Sequence, residues 1–155
     1  MQDEKPRKNP AGINIVIAVA AVAFVVFKFF YVDGSVIAKK LTEYSAHEFV
    51  MTKYESLGVV ETEVTLSDAQ KEALVLLFYN AGFRRVLADT VYTSDMTRYD
   101  VLVSGTAGEL SGTLYNIGIT GGKYVSARDM PNDKFGRIYD GRWNEKLDEI
   151  LAMSD

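Results

Sequence analysis

From Ala11 to Val32 the chain reads AGINIVIAVAAVAFVVFKFFYV, and Lys28 is the only charged residue in that stretch. A helix needs about 20 mainly apolar residues to cross the hydrocarbon of a bilayer. Residues 13–32 supply such a run and predict a transmembrane helix, preceded by a short polar tail over 1–12. Ile15 to Phe27 is apolar on every face, which suits neither a core helix with one polar side nor an interfacial helix. A signal peptide cut after Ala21-Val22-Ala23 would leave FVVFKFFYV as a mature N-terminus, so an uncleaved anchor is the better reading. With no cysteine in the chain, lipoprotein processing is excluded.

Lys28 falls where a span meets the headgroups, among Phe27, Phe29, Phe30 and Tyr31. There it either snorkels to the interface or meets a carboxylate or carbonyl on a partner helix. Lys5, Arg7 and Lys8 precede the run while Lys39 and Lys40 follow it, so the basic residues nearly balance. The signal-anchor plan favours the tail inside and the domain outside. The expected location is a single pass through a bacterial inner membrane with a periplasmic domain, or through an organellar inner membrane. Ala18, Ala20, Ala21 and Ala23 offer a small-residue surface for packing against another helix, without a small-xxx-small pair.

The remainder is long enough to bury a core of its own. The net charge of −4 argues against a nucleic-acid surface, which needs clustered basic residues. Ser35 is expected to cap a helical stalk over 33–58, and VVETEVTL (59–66) reads as a strand. Ser67 and Gln70 have the spacing of a capping box ahead of a helix that closes near Asn80-Ala81-Gly82, with the glycine left-handed. Strands are expected in RRVLADTVYTS, YDVLVSGT, TLYNIGIT and KYVSARD, the last two joined by Gly121-Gly122 in a tight turn. Tyr115, Ile117 and Ile119 should share one face. Met130 to Gly141 reads as loop, and Trp143, Leu147, Ile150 and Leu151 mark a final helix over 142–153. The fold class is α+β: a transmembrane helix, then helix, helix, a four-stranded antiparallel meander and a helix, with the exposed domain over 59–155. In architecture alone this order resembles cystatin-like and nuclear transport factor-like domains, and no residue motif carries a family.

Chemistry is sparsely signalled. Gly118-Ile119-Thr120-Gly121-Gly122-Lys123 lacks the leading glycine and the following hydroxyl of a phosphate loop. His47 is the only histidine and falls within the expected stalk, a poor basis for a triad or a metal site. The acid pairs Glu61 and Glu63, Asp129 and Asp133, and Asp148 and Glu149 read as solvated charge. Arg84 and Arg85, adjacent on a strand, should face opposite sides, one of them toward an anionic group. Nine tyrosines, among them Tyr92, Tyr99, Tyr124 and Tyr139, suggest a contact surface. The candidate partner contacts are Lys28, Arg84, Arg85, Tyr92 and Tyr124, with no catalytic, metal or cofactor residues. The expected function is that of a non-enzymatic membrane subunit, accessory to or assembling a larger membrane complex. Its partners would be lipid and other membrane proteins, with self-association open and nucleic acid excluded. Two other readings are a holin-like self-assembling pore and a membrane-anchored ligand sensor.

Overall fold

The computed structural model describes residues 10–55, 58–86, 96–107, 110–127, 136–138 and 142–154. The chain divides into two units at the Phe30–Tyr31 bond. The first holds helix α1 (Pro10–Phe30). Residues 12–27 of it are all exposed, with Val16 at 68% and Val26 at 48%, while Phe30 at its end is half-buried. Among the described residues no helix is long and apolar enough to cross a membrane. The expected limit at Val32 is also corrected. The helix stops at Phe30, because Tyr31–Asp33 forms strand β1 and Val32 is buried at 8% exposure.

The second unit continues with α2 (Ser35–Glu43), β2 (Glu48–Tyr54), β3 (Val60–Thr65), α3 (Asp68–Tyr79), β4 (Gly82–Arg85), β5 (Arg98–Ala107), β6 (Leu110–Thr120), β7 (Tyr124–Ala127), β8 (Gly136–Ile138) and α4 (Trp143–Ala152). Its strands pair antiparallel in one sheet of order β1-β4-β8-β7-β6-β5-β2-β3. The fold is therefore α+β, but the sheet has eight described strands rather than four. The expected stalk over 33–58 is the main error. Its helix ends at Glu43, and Phe49 and Met51 alternate inward on β2 between β3 and β5. His47 accordingly lies in the bend before β2, not on a helix. Within the expected loop over 130–141, Gly136–Ile138 pairs with both β4 and β7 and joins the two halves of the sheet.

One face of the sheet is apolar. Met51, Val101, Ile117 and Ala127 stand opposite one another across four strands, and Phe49, Val103 and Tyr115 across three. Onto this face α2 packs Ile37 and Leu41, α3 packs Leu74 and Phe78, and α4 packs Trp143 and Leu147. Full burial of such side chains is worth about 1.5–3 kcal/mol each. Trp143 meets Phe78 edge-on at 5.1 Å and Phe83 at 5.9 Å between ring centroids, binding α3, α4 and β4 at one point. The glycine turn forms as expected, with φ of 61° at Gly121 and 60° at Gly122. Gly82 is different: it opens β4, and a Cβ there would come 3.0 Å from the Tyr31 ring. Asn80 caps α3 instead, its side-chain amide donating to Leu76 O at 3.0 Å. At the start of α2 the acceptor is Asp33, whose carboxylate takes the Ser35 N–H at 2.8 Å.

The capping box forms and does more than cap. Gln70 Oε1 accepts from the Ser67 N–H at 2.9 Å, while Gln70 Nε2 donates to Ile150 O at 2.9 Å and Met153 O at 3.2 Å. One buried side chain thus serves the first turn of α3 and the orphan carbonyls ending α4. Gln70→Glu keeps the acceptor but sets a carboxylate oxygen against two carbonyls. It should destabilise the domain by about 2 kcal/mol or more, against about 1 kcal/mol for Ser67→Ala. Urea unfolding of the two variants checks the order.

Candidate functional site

Strand register determines what lies on the face away from the helices, because cross-strand partners share a face. Tyr31 stands opposite Arg84, Arg84 opposite Arg137, and Arg137 opposite Tyr124. The row continues through Thr120 and Arg98 to Tyr54. Three arginines and three tyrosines therefore occupy one line across seven strands, about 29 Å at 4.8 Å per strand. The neighbouring row is Glu63, Thr52, Asp100, Gly118 and Ser126. Arg98 Nε donates to Asp100 Oδ1 at 2.8 Å, so this end of the basic row is internally neutralised. Beside it is a hollow of about 420 Å³ lined by Arg98, Thr113, Asn116, Gly118 and Ser126. Its floor depends on Gly118, where a Cβ would meet Ser126 Oγ at 2.9 Å.

Of the sequence candidates, register brings Arg84 and Tyr124 into this row. Arg84 is exposed; Arg85 turns to the other side and is half-buried, and its Nε has no hydrogen-bond partner among the described residues. Tyr92 lies outside the described residues, as does the side chain of Lys28. Tyr99, expected as surface, is fully buried, whereas Tyr139 and the pair Asp129 and Asp133 are outside the described residues. Sequence reasoning missed Tyr31, Tyr54, Arg98 and Arg137 as members of the row. Their separation along the chain hides them, and only strand order brings them together. Guanidiniums in this setting recognise phosphate or carboxylate, with tyrosine adding contact area and a hydroxyl.

A second polar cluster lies at the β2–β5–α4 contact. Lys53 Nζ pairs with Glu61 and with Asp148, each at 3.0 Å, and Tyr99 OH donates to Asp148 Oδ1 at 2.9 Å. The hydrogen bonds that Lys53 donates to Glu61 and Asp148 raise its ammonium above its ordinary range. Burial raises the Tyr99 hydroxyl, and its bond to Asp148 adds to the shift. The other acid of the Glu61 pair, Glu63, accepts from Thr52 at 3.4 Å. These acids hold strands and helix together. Among the described residues no group of three histidines or carboxylates is placed to hold a metal ion. His47 rests edge-on against Tyr44, with ring centroids 6.0 Å apart.

Tyr99 and Lys53 keep their protons in the folded chain at pH values where the unfolded chain has lost them. Their stabilisation is complete below about pH 10, the unfolded value, and is lost as pH rises through the higher folded values. Tyr99→Phe should cost about 1 kcal/mol at neutral pH and flatten the alkaline fall in stability. Urea midpoints measured across the alkaline range test this. Comparison with known proteins finds no family model, no curated protein and no solved structure that matches this chain.

Proposed function

We propose that this chain is a membrane-anchored, non-enzymatic subunit, accessory to or assembling a larger membrane complex. In this reading α1 lies in the bilayer, and the α+β unit docks on another membrane protein. The observation that carries it is the exposure of α1. Apart from Asn14, residues 13–27 are apolar, and those described are exposed throughout. Folded soluble chains rarely leave a contiguous apolar patch of more than a few hundred Å² in water, so such a helix calls for lipid or partner helices. Its 21 residues make a rod about 31 Å long at 1.5 Å per residue, comparable to the hydrocarbon thickness. In sequence the run continues through Lys28-Phe29-Phe30, the pattern of an interfacial end.

The chain carries no cysteine, which makes it a clean background for single-cysteine labelling. The expected result is resistance to alkaline carbonate extraction, with cysteines at Val19 or Val22 blocked from a membrane-impermeant maleimide and one at Lys146 reactive. Ala21→Arg with Val22→Arg should release the chain from membranes, because each central arginine costs about 2.5–3.5 kcal/mol on insertion. Crosslinking in native membranes should then recover a reproducible set of other membrane proteins. Crosslinks to copies of itself alone would replace this reading with self-assembly, and carbonate extraction of the unaltered chain would remove the membrane altogether.

A further inference from the structure

We infer that the outer edge of β3 is a docking edge for an extended, basic segment of the partner protein, which joins the sheet as a further strand. The inference rests on the subunit reading above and names the surface and the chemistry of its docking. β3 lies at one end of the sheet, and among the described residues it pairs with β2 alone. Leu66 N–H donates to Phe49 O at 2.8 Å, one step beyond the Thr65–Val50 pair. In an antiparallel ladder, hydrogen-bonded and non-bonded pairs alternate. Val64 opposite Met51 and Thr62 opposite Lys53 therefore bond to β2, whereas Glu63 and Thr65 turn their N–H and C=O away from the sheet. Such an edge is a template for strand addition, and its main-chain groups supply the affinity.

Charge selects the strand that fits. Glu63 accepts from the Thr52 hydroxyl at 3.4 Å, and Glu48 of β2 accepts from the Thr65 hydroxyl at 3.3 Å, all on the open face. Both acids are exposed, and among the described residues neither has a cation within ion-pair distance. Glu61, by contrast, is matched by Lys53. An added strand lies about 4.8 Å beyond β3 and points every second side chain to the open face. Lysine or arginine at two alternate positions would then meet Glu63 and the Glu48–Thr65 pair. Opposite charges facing across strands stabilise the pairing and like charges oppose it. A second copy would bring its own Glu48 and Glu63 against the same acids, so charge turns it away. The register shift between Lys53 and Tyr54 ends the regular ladder at Thr62. The docked strand is therefore short, and its charges decide which segment is accepted.

The test uses the full chain in native membranes, with partners recovered after crosslinking. Proline is tolerated at an edge position whose N–H faces solvent, so Thr65→Pro removes one outward donor and no bond to β2. It should lower the recovery of partners about tenfold with little change in the urea midpoint of the purified chain. Glu63→Lys should lower recovery as much, and Glu63→Gln less. A photoreactive group carried on Thr65→Cys should crosslink to a partner peptide with lysine or arginine at alternate positions. Recovery unchanged by Thr65→Pro and Glu63→Lys would overturn β3 as the docking edge and leave the subunit reading standing. Loss with Glu63→Lys alone would overturn strand addition. A large fall in the urea midpoint with Thr65→Pro would put that N–H inside the ladder and overturn the assignment of the edge. Crosslinks from β3 to other copies of the chain would overturn the basic segment as occupant. Failure of the unaltered chain to recover any partner would remove the subunit reading and this inference with it.

Discussion

The open face of the sheet is ordered by what is buried on the other one. A slip of one residue in any strand would turn its entire apolar set outward. Met51, Val101, Ile117 and Ala127 can occupy one buried row only in the observed register. The same register then places Tyr31, Arg84, Arg137 and Tyr124 in one outward row. The basic row is thus a consequence of hydrophobic packing. Its residues need no direct attraction for one another.

Packing at the centre is closed by helices from three separate parts of the chain. The Trp143, Phe78 and Phe83 rings join α4, α3 and β4, and Gln70 connects the start of α3 to the end of α4. The Lys53, Glu61, Asp148 and Tyr99 cluster fastens the opposite side of α4 to β2 and β5. Two of its acids are more than a third exposed, so water screens these pairs and their worth is about 1 kcal/mol or less each. Burial of the rings carries more of the stability. α1 has a different character: apart from Asn14, its residues 13–27 are apolar, and all of them are exposed.

Legibility followed the range of the interactions. The Ser67–Gln70 box, the Gly121-Gly122 turn, the inward set Tyr115, Ile117 and Ile119, and the last helix were all readable, because each depends on neighbours a few residues away. The stalk failed because VIAKKLTEYSAHEFVMTKYESL mixes both periodicities: β2 owes its extended form to pairing with β3 and with β5, some fifty residues distant. Strand β8 was missed because three residues show no period, and its pairing with β4 and β7 is supplied by partners from two distant segments. Arg84 and Tyr124 drew attention individually, but nothing local connected them to each other or to Tyr31, Arg98 and Arg137.

By itself the sequence determined the apolar run over 13–32, the absence of thiol chemistry, the α+β class and the elements whose signals are local. Composition and short-range periodicity suffice for these. The tertiary structure alone decided that the helix gives way to β1 at Tyr31, that eight strands share one sheet, and that scattered arginines and tyrosines align across it. Strand order and register arise from burying one face against helices distant in sequence, and that constraint acts on the chain as a whole.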